Sequence, residues 1–395
     1  MSNASQPSGG IVHEVRWSDA LPWWILFRAA AAAFAPTVIV LGALGAAATW
    51  AGWSAANQLG LAGQGGADVA LAAAVQAGDD TVLVLPDAVG EPAGSTALAP
   101  SLNSTPWMHD LANRLPEPLA AALRLVALPF SPTASRREWA GALARIGWFV
   151  LVWSIFGTAI TRHVALRLVG EEAPGIVGAT LYGSRKWLPS FNSVLFVLVG
   201  IVALCVPGAL LGLLMRSEWG LAFAGAVWPL VLLGAVVLAI LAVGLVAGWP
   251  LMVAAVGVER GDSFQAISTA FSYVYQRPLH YAFYGFVALI VAIPSLAAAG
   301  VFADAIGTLA MWAASIGMGA ERTAAVLEGL AGQGPEAGRW GVKALVFWSR
   351  GLATLLASFG WGYFWAIATA TYLLLRQDVD GTEMDEVVID EPGGQ

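Results

Sequence analysis

Six basic side chains flank two amphipathic segments of the sequence and could bind the anionic headgroups of membrane lipids. A cation close to an anionic leaflet contributes about 1 kcal/mol to membrane binding. These six are the candidate headgroup contacts, and interfacial anchoring without lipid specificity is the alternative. They are Arg162, Arg167, Arg185 and Lys186 around the first segment, and Arg260 and Arg277 around the second.

Other residue types that carry chemistry are scattered. The histidines, His13, His109, His163 and His280, match no metal-ligand spacing such as HExxH. The single cysteine, Cys205, excludes a disulfide framework and a thiolate metal cage. Neither a GxSxG turn nor a phosphate-binding loop opens a predicted helix. We therefore expect no catalytic residue, no metal and no cofactor, and a protein that is not an enzyme.

The composition indicates what kind of structure must position the basic residues. Hydrophobic residues make up 58% of the 395 residues and charged residues only 11%, which is far from the balance of a soluble domain. No alternating barrel-type strand pattern appears, and in lipid a helix satisfies its own backbone. The sequence therefore predicts an all-α integral membrane helical bundle. The net charge of −7 argues against a nucleic-acid partner.

The hydropathy pattern predicts about six transmembrane helices. The order is an N-terminal interfacial segment at 1–28, the first transmembrane helix at 29–53, an extramembrane loop at 54–140, helices two to five within 141–303, a loop or re-entrant segment at 304–343, the sixth helix at 344–375 and an acidic tail at 376–395.

The fourth transmembrane helix is embedded in a long run without charges, 220–258. At 1.5 Å per residue this run gives roughly 58 Å of helix, about twice the thickness of a hydrocarbon core. The pairs Trp228-Pro229 and Trp249-Pro250 are separated by a bilayer's length of helix. We therefore place the fourth span between them and expect Leu251 to Val258 to continue beyond the membrane.

The two amphipathic segments lie at about 172–188 and 262–277. In the second, Asp262 and Gln265 resemble a capping box, and apolar residues recur at helical spacing from Phe264 to Val274. A shift of 87 positions aligns the segments, with Gly170 and Gly257 among the identities. The pattern predicts two interfacial helices and favours an internal repeat.

The run GWPLMVAAVGVERGDSFQAISTAFSYVYQRPLHYAFY resembles the signature of a family of uncharacterised bacterial polytopic membrane proteins. The tail ATYLLLRQDVDGTEMDEV and the segment WSIFGTAITRHVALRLVGEEAPG are similar to that family as well. More distantly, the order of helices resembles the membrane domain of bacterial glycerophosphodiester phosphodiesterases. The resemblance implies a bacterial membrane protein and brings no site residues.

The predicted function is a structural or scaffold role in the bacterial inner membrane, with membrane lipids as partners and both termini cytoplasmic. The first alternative is a carrier of a lipid or a neutral small molecule. It is disfavoured because no ionisable residue lies in the middle of a predicted span. An accessory subunit of a larger complex is the second alternative, in which the acidic tail docks a partner protein.

Overall fold

The structure, a computed structural model, describes residues 21–59 and 136–382. After a 3₁₀ turn at Pro22–Trp24, ten α-helices run through these residues, and no strand occurs among them. They are α1 (Ile25–Ala33), α2 (Pro36–Gln58), α3 (Arg136–Val169), α4 (Ile176–Leu214), α5 (Glu218–Glu259), α6 (Ser263–Gln276), α7 (Pro278–Met318), α8 (Ala320–Leu330), α9 (Trp340–Ala357) and α10 (Phe359–Asp380).

Six segments of the described chain are long and apolar enough to cross a bilayer. This confirms the prediction of an all-α membrane bundle. The segments are Pro36–Gln58, Ala140–Val169, Ile176–Leu214, Glu218–Glu259, Pro278–Met318 and Trp340–Asp380.

The N-terminal part of the bundle differs from the prediction. Instead of an interfacial segment followed by one helix from residue 29, a short helix α1 ends at Ala33 and the first spanning helix starts at Pro36. Proline has no N–H and is tolerated at the first turn of a helix. Helix α1 does not lie along a surface, since Leu26 and Ala29 are fully buried. It packs against α10, and residues 1–20 of the predicted segment lie outside the described residues.

Helix α10 is the centre of the packed bundle. Nearly every side chain from Trp365 to Leu375 is buried, so this stretch has no outward face. It contacts α1, α2, α3, α5 and α7. The predicted sixth span contains a break, because α9 ends before Ser358 and α10 begins after it.

One of the two predicted interfacial helices is a separate element. Asp262 caps α6 by accepting a hydrogen bond from the backbone N–H of Gln265 at 2.8 Å, as predicted. The side chain of Gln265 does not complete a capping box, because it donates to Glu259 at 2.8 Å. The other predicted interfacial helix, at about 172–188, does not end near residue 188. It is the first part of α4, which continues to Leu214.

The buried face of α6 differs from the predicted stripe. Ala266, Ala270 and Tyr273 are buried, whereas Phe264 is 67% exposed. The small alanines allow α6 to lie close to α5, where Gly248 faces Ala270 and Gly244 faces the ring of Phe271. The GxxxG pair in α5 therefore serves close helix packing.

The end of α5 is also part of the core. Residues Leu251 to Val258, which we expected to project beyond the membrane, are all buried. A Cβ atom at Gly257 would lie only 2.1 Å from Thr161 Oγ1, so α5 and α3 approach each other closely at this glycine.

The internal repeat stays a prediction, because the helix starts match its offset but the aligned glycines differ in role. Helices α4 and α6 begin at Ile176 and Ser263, which are 87 positions apart. Gly170 has a left-handed φ of 86° at the end of α3, but the left-handed residue after α5 is Arg260, with φ 61°. Gly257 lies inside its helix, so the aligned glycines have different structural tasks.

The remaining parts of the long helices carry apolar side chains outward. From 198 to 246, most residues of α4 and α5 are exposed, and α7 exposes Leu289, Ile293 and Val301. An exposed apolar surface of this length is typical of a protein whose solvent is lipid.

We predict that Gly183→Ala destabilises the bundle and that Gly200→Ala does not. The new Cβ at Gly183 would lie 2.2 Å from the carbonyl oxygen of Ile155, so α3 and α4 must separate. Overpacking of this kind costs about 1–3 kcal/mol. At Gly200, in the same helix, the Cβ meets nothing within 4 Å. Thermal unfolding in detergent measures both variants, and equal melting temperatures would contradict the packing of these helices.

Candidate functional site

Polar side chains collect at one end of the bundle, where α3 and α5 end, α6 crosses and α10 finishes. We call this region the polar end, and its centre is Glu259. One carboxylate oxygen, Oε1, accepts a hydrogen bond from the hydroxyl of Tyr372 at 2.5 Å and pairs with Arg376 Nε at 3.3 Å. The other oxygen, Oε2, accepts from Gln265 at 2.8 Å. Both oxygens of this largely buried carboxylate are therefore satisfied.

Two aspartates in the last turn of α10 bind tyrosines of the neighbouring helices. The hydroxyl of Tyr284 on α7 donates to Asp378 Oδ2 at 2.7 Å. The hydroxyl of Tyr273 on α6 donates to Asp380 Oδ2. Burial, helped by the hydrogen bond to Asp380, raises the pKa of Tyr273 above its ordinary value. Tyr273 therefore stays a neutral donor, and the end of α10 is joined to α5, α6 and α7.

Tyr182 on α4 lies between two guanidinium groups. Arg162 and Arg260 approach the face of its ring, at 5.3 and 5.9 Å from the ring centre. Its hydroxyl donates to the carbonyl oxygen of Val256 at 3.0 Å. Lys186 donates to the carbonyl oxygen of Arg260 at 3.3 Å. Cation–π contacts thus hold α3, α4 and the end of α5 together.

The six predicted headgroup contacts have three different environments. Arg162 is only 1% exposed, so it is not a surface cation. Its guanidinium lies over the Tyr182 ring, and its role as a headgroup contact stays a prediction. Arg260 and Lys186 are half-buried in the same cluster. The other three side chains are exposed, namely Arg167, Arg185 and Arg277.

Sequence reasoning missed the acidic side of the polar end. We predicted residues 376–395 as an acidic tail, yet Arg376, Asp378 and Asp380 belong to α10 and bind its neighbours. Residues beyond 382 lie outside the described part. The available signal was the tyrosines: Tyr273 and Tyr284 stand in apolar surroundings, where a buried hydroxyl needs an acceptor.

The middle of the bundle contains an aromatic cluster. Trp153 and Trp361 stack with ring centres 4.6 Å apart, and Trp249 meets Trp365 edge-on at 5.3 Å. Phe149 contacts three of these rings. The indole N–H groups of Trp153, Trp249 and Trp365 are buried and have no acceptor among the described residues. Trp153 and Trp365 are fully buried, so these two side chains fill the interior at this level.

His163 lies near the polar end but is part of the packing between helices. Its Nδ1 contacts the carbonyl oxygen of Pro174 at 2.8 Å, which makes Nδ1 the protonated nitrogen. Within residues 21–59 and 136–382, no group of three or more His, Cys, Asp or Glu side chains is arranged to hold a metal.

Comparison of the chain with protein-family models, with curated proteins and with solved structures gives no match.

We predict that the contact between Tyr273 and Asp380 stabilises the polar end. Tyr273→Phe should cost about 1–2 kcal/mol, since it removes the hydrogen bond that the buried tyrosine donates to a charged carboxylate. In a double-mutant cycle with Asp380→Ala, the two effects should couple by roughly 0.5–3 kcal/mol. Unfolding free energies in detergent measure the cycle.

The matched control is Tyr275→Phe. This tyrosine is two residues away on the same helix, but its hydroxyl donates to the carbonyl oxygen of Ile240. Its effect should add to that of Asp380→Ala without coupling. If the effects of Tyr273→Phe and Asp380→Ala were also additive, the hydrogen bond between these two residues would not join α6 to α10.

Proposed function

We propose that this protein is a non-enzymatic membrane scaffold whose polar end binds the anionic headgroups of membrane lipids. The observation that carries the proposal is the separation of charges at the polar end. The carboxylates of Glu259, Asp378 and Asp380 are bound by tyrosines and Arg376, whereas Arg167, Arg185 and Arg277 are exposed.

The position of the exposed charges supports headgroup contact. Arg185 lies nine residues into α4, about 14 Å along the helix from its start. The exposed carboxylates Glu171 and Glu172 lie instead in the turn that precedes α4. This turn is at the outer edge of the polar end. Arg185 therefore lies closer to the apolar part of the bundle than Glu171 and Glu172 do.

Apolar side chains are exposed beside these cations. Val177 and Leu279 are each 82% exposed, and Leu181 and Leu188 on α4 are 48% and 49% exposed. Basic and apolar side chains side by side are typical of surfaces that lie in the headgroup region of a bilayer. Both lipid parts, the headgroup and the adjoining acyl chain, would find a partner here.

The packing of the bundle supports a scaffold more than a carrier. A carrier needs a polar route near the middle of the membrane, commonly with ionisable groups. At the level of the aromatic cluster the described helices instead meet through tryptophan rings, and Trp153 and Trp365 have no exposed surface.

A carrier of a lipid or neutral small molecule is the second candidate, and one observation favours it. The three unpartnered indole N–H groups of the aromatic cluster would suit a ligand that offers acceptor oxygens. Trp365→Phe removes one donor and keeps an aromatic ring. Loss of solute uptake into proteoliposomes on this substitution would support the carrier, and absence of uptake by the native protein would eliminate it.

We further propose the bacterial inner membrane as the location, with both termini cytoplasmic. The two ends of the described chain lie together at the polar end, because Arg28 donates to the carbonyl oxygen of Leu168 at 2.6 Å and Asp380 binds Tyr273. The resemblance to bacterial membrane proteins supports this location. A docking role for the acidic residues beyond 382 would make the protein a subunit of a larger complex, and copurification of a partner protein tests it.

We predict that neutralising the exposed cations weakens the binding of phosphatidylglycerol. The variant with Arg167→Gln, Arg185→Gln and Arg277→Gln should lose about 3 kcal/mol, near 100-fold in affinity, if each cation contributes about 1 kcal/mol. Lipid titration of the purified protein, followed by native mass spectrometry, measures the affinity.

The matched control changes three exposed cations elsewhere in the chain, Arg216, Lys343 and Arg350, to glutamine. This control changes the net charge by the same amount as the triple variant at the polar end. An equal loss in both triple variants would show that only overall charge matters, and no loss in either would refute headgroup binding at the polar end.

A further inference from the structure

A second charged cluster lies far from the polar end, between α8 and α9. Glu336 belongs to a 3₁₀ turn, Pro335–Gly338, and is only 6% exposed. Its Oε1 forms ion pairs with Arg322 NH1 at 2.9 Å and with Arg339 NH1 at 3.0 Å. One carboxylate oxygen thus holds two guanidinium groups in place.

The chain is shaped locally to bury this glutamate. Gly332 and Gly334 have φ values of 76° and 70°, a left-handed conformation that favours glycine and reverses the chain after α8. A Cβ at Gly329 would lie 3.1 Å from the Cβ of Glu336, so a glycine there lets the turn approach α8. Arg322 on α8 and Arg339 before α9 then meet over the same carboxylate.

The distance between the two clusters matches the thickness of a membrane. Tyr284 at the polar end and Met318 beside Glu336 are the two ends of one stretch of α7. At 1.5 Å per residue this stretch is about 51 Å long, and a bilayer with its headgroups is about 40–45 Å thick. A modest tilt places both clusters in headgroup layers, on opposite faces of one bilayer.

Aromatic side chains support this placement of the second cluster. Trp312 on α7 is 62% exposed, and Trp340 and Trp348 on α9 are 84% and 72% exposed. Exposed tryptophans are enriched where the hydrocarbon core meets the headgroups. The cluster around Glu336 therefore has the surroundings of a membrane interface.

The cluster borders a groove suited to a phosphate group. The groove has a volume of about 500 Å³, and its walls include Arg322, Arg339 and Glu336. The side chains of Arg322 and Arg339 are 49% and 63% exposed, so most of their donors remain accessible. Gly341 and Val342, in the first turn of α9, also line it. No side chain caps the start of this 18-residue helix, whose first N–H groups attract anions.

The buried carboxylate adds a requirement for a donor. Glu336 Oε2 is buried and accepts no hydrogen bond from any described residue. A buried unpartnered carboxylate oxygen is costly, and an ammonium group would satisfy it. Because Oε2 is covered, an ammonium reaches it only when the neighbouring side chains shift. The side chains of Arg322 and Arg339 are 49% and 63% exposed, so both have room to turn toward a phosphate.

We propose that this groove binds the phosphoethanolamine headgroup of a membrane phospholipid. The phosphate lies between Arg322, Arg339 and the start of α9, and the ammonium donates to Glu336. Leu345, which also lines the groove and is 45% exposed, offers an apolar surface to the lipid beyond its phosphate. The site is separate from the lipid contacts proposed for the polar end.

The chemistry of Glu336 makes the site selective. Phosphocholine carries the same phosphate and a positive charge, but its trimethylammonium has no N–H to donate. Phosphoglycerol can donate only through hydroxyl groups, which bind a carboxylate less strongly than an ammonium does. Ethanolamine lipids should therefore bind more tightly than choline lipids, and glutamate should be the source of the difference.

The experiment is a lipid titration of the full chain in detergent, read by native mass spectrometry. Phosphatidylethanolamine should bind at least tenfold more tightly than phosphatidylcholine. Glu336→Gln, which keeps the shape but removes the charge, should bring the two lipids within about threefold of each other. Arg322→Gln with Arg339→Gln should weaken both lipids at least tenfold, whereas Lys343→Gln on the same helix should change neither.

Each other outcome overturns the proposal or changes the source of the ligand. Equal binding of the two lipids by the native protein refutes it, as does unchanged selectivity in Glu336→Gln. In the Arg167→Gln, Arg185→Gln, Arg277→Gln background, which removes the lipid contacts proposed for the polar end, tighter binding of phosphatidylglycerol than of phosphatidylethanolamine identifies a simple anion site instead. Free phosphoethanolamine that binds as tightly as the lipid identifies a soluble ligand. If Glu336→Gln does not fold, Arg339→Lys tests the phosphate contact instead, because it removes the forked guanidinium at a mostly exposed position. Unchanged affinity for phosphatidylethanolamine in this variant would overturn the proposal.

Discussion

The burial of α10 on all sides is the constraint on which the rest of the bundle depends. Its stretch from Trp365 to Leu375 has no side exposed to the surroundings, because α1, α2, α3, α5 and α7 enclose it. Its last turn then carries carboxylates into the polar end, where tyrosines from α6 and α7 are their donors. The same helix therefore sets both the apolar core and the arrangement of charges at the membrane surface.

The long helices give the molecule two chemically different parts. Near the polar end they are packed against each other, and from there α4, α5 and α7 extend with apolar side chains outward. At 39 to 42 residues these helices are longer than a hydrocarbon core requires. The excess is used at the polar end, where the last residues of α5 are buried among neighbouring helices. Length beyond the membrane thus becomes a packed base for the charged residues.

The sequence predicted the features that depend on local pattern. Six spans follow from hydropathy, and the start of α6 follows from Asp262, because capping involves residues three positions apart. The features that depend on distant partners were not predicted. An arginine such as Arg162 is expected at the surface from its residue type alone, but Tyr182 from another helix packs against it. Asp378 and Asp380 belong to an acidic run in the sequence, and only folding brings Tyr284 and Tyr273 to them. The Glu336 cluster likewise joins residues from a helix, a turn and a helix start.

We propose that the apolar stretch between the two charged clusters spans one bilayer. Single cysteines in a Cys205→Ser background, exposed to a membrane-impermeant thiol reagent, test it most directly. Gly317 and Gly300 have open space for a side chain, and Leu279 is exposed at the polar end. A cysteine at 317 should react in intact spheroplasts, one at 279 only after lysis, and one at 300 in neither. If the cysteines at 279 and 317 reacted from the same side, or if the cysteine at 300 reacted, the stretch between the clusters would not span the bilayer.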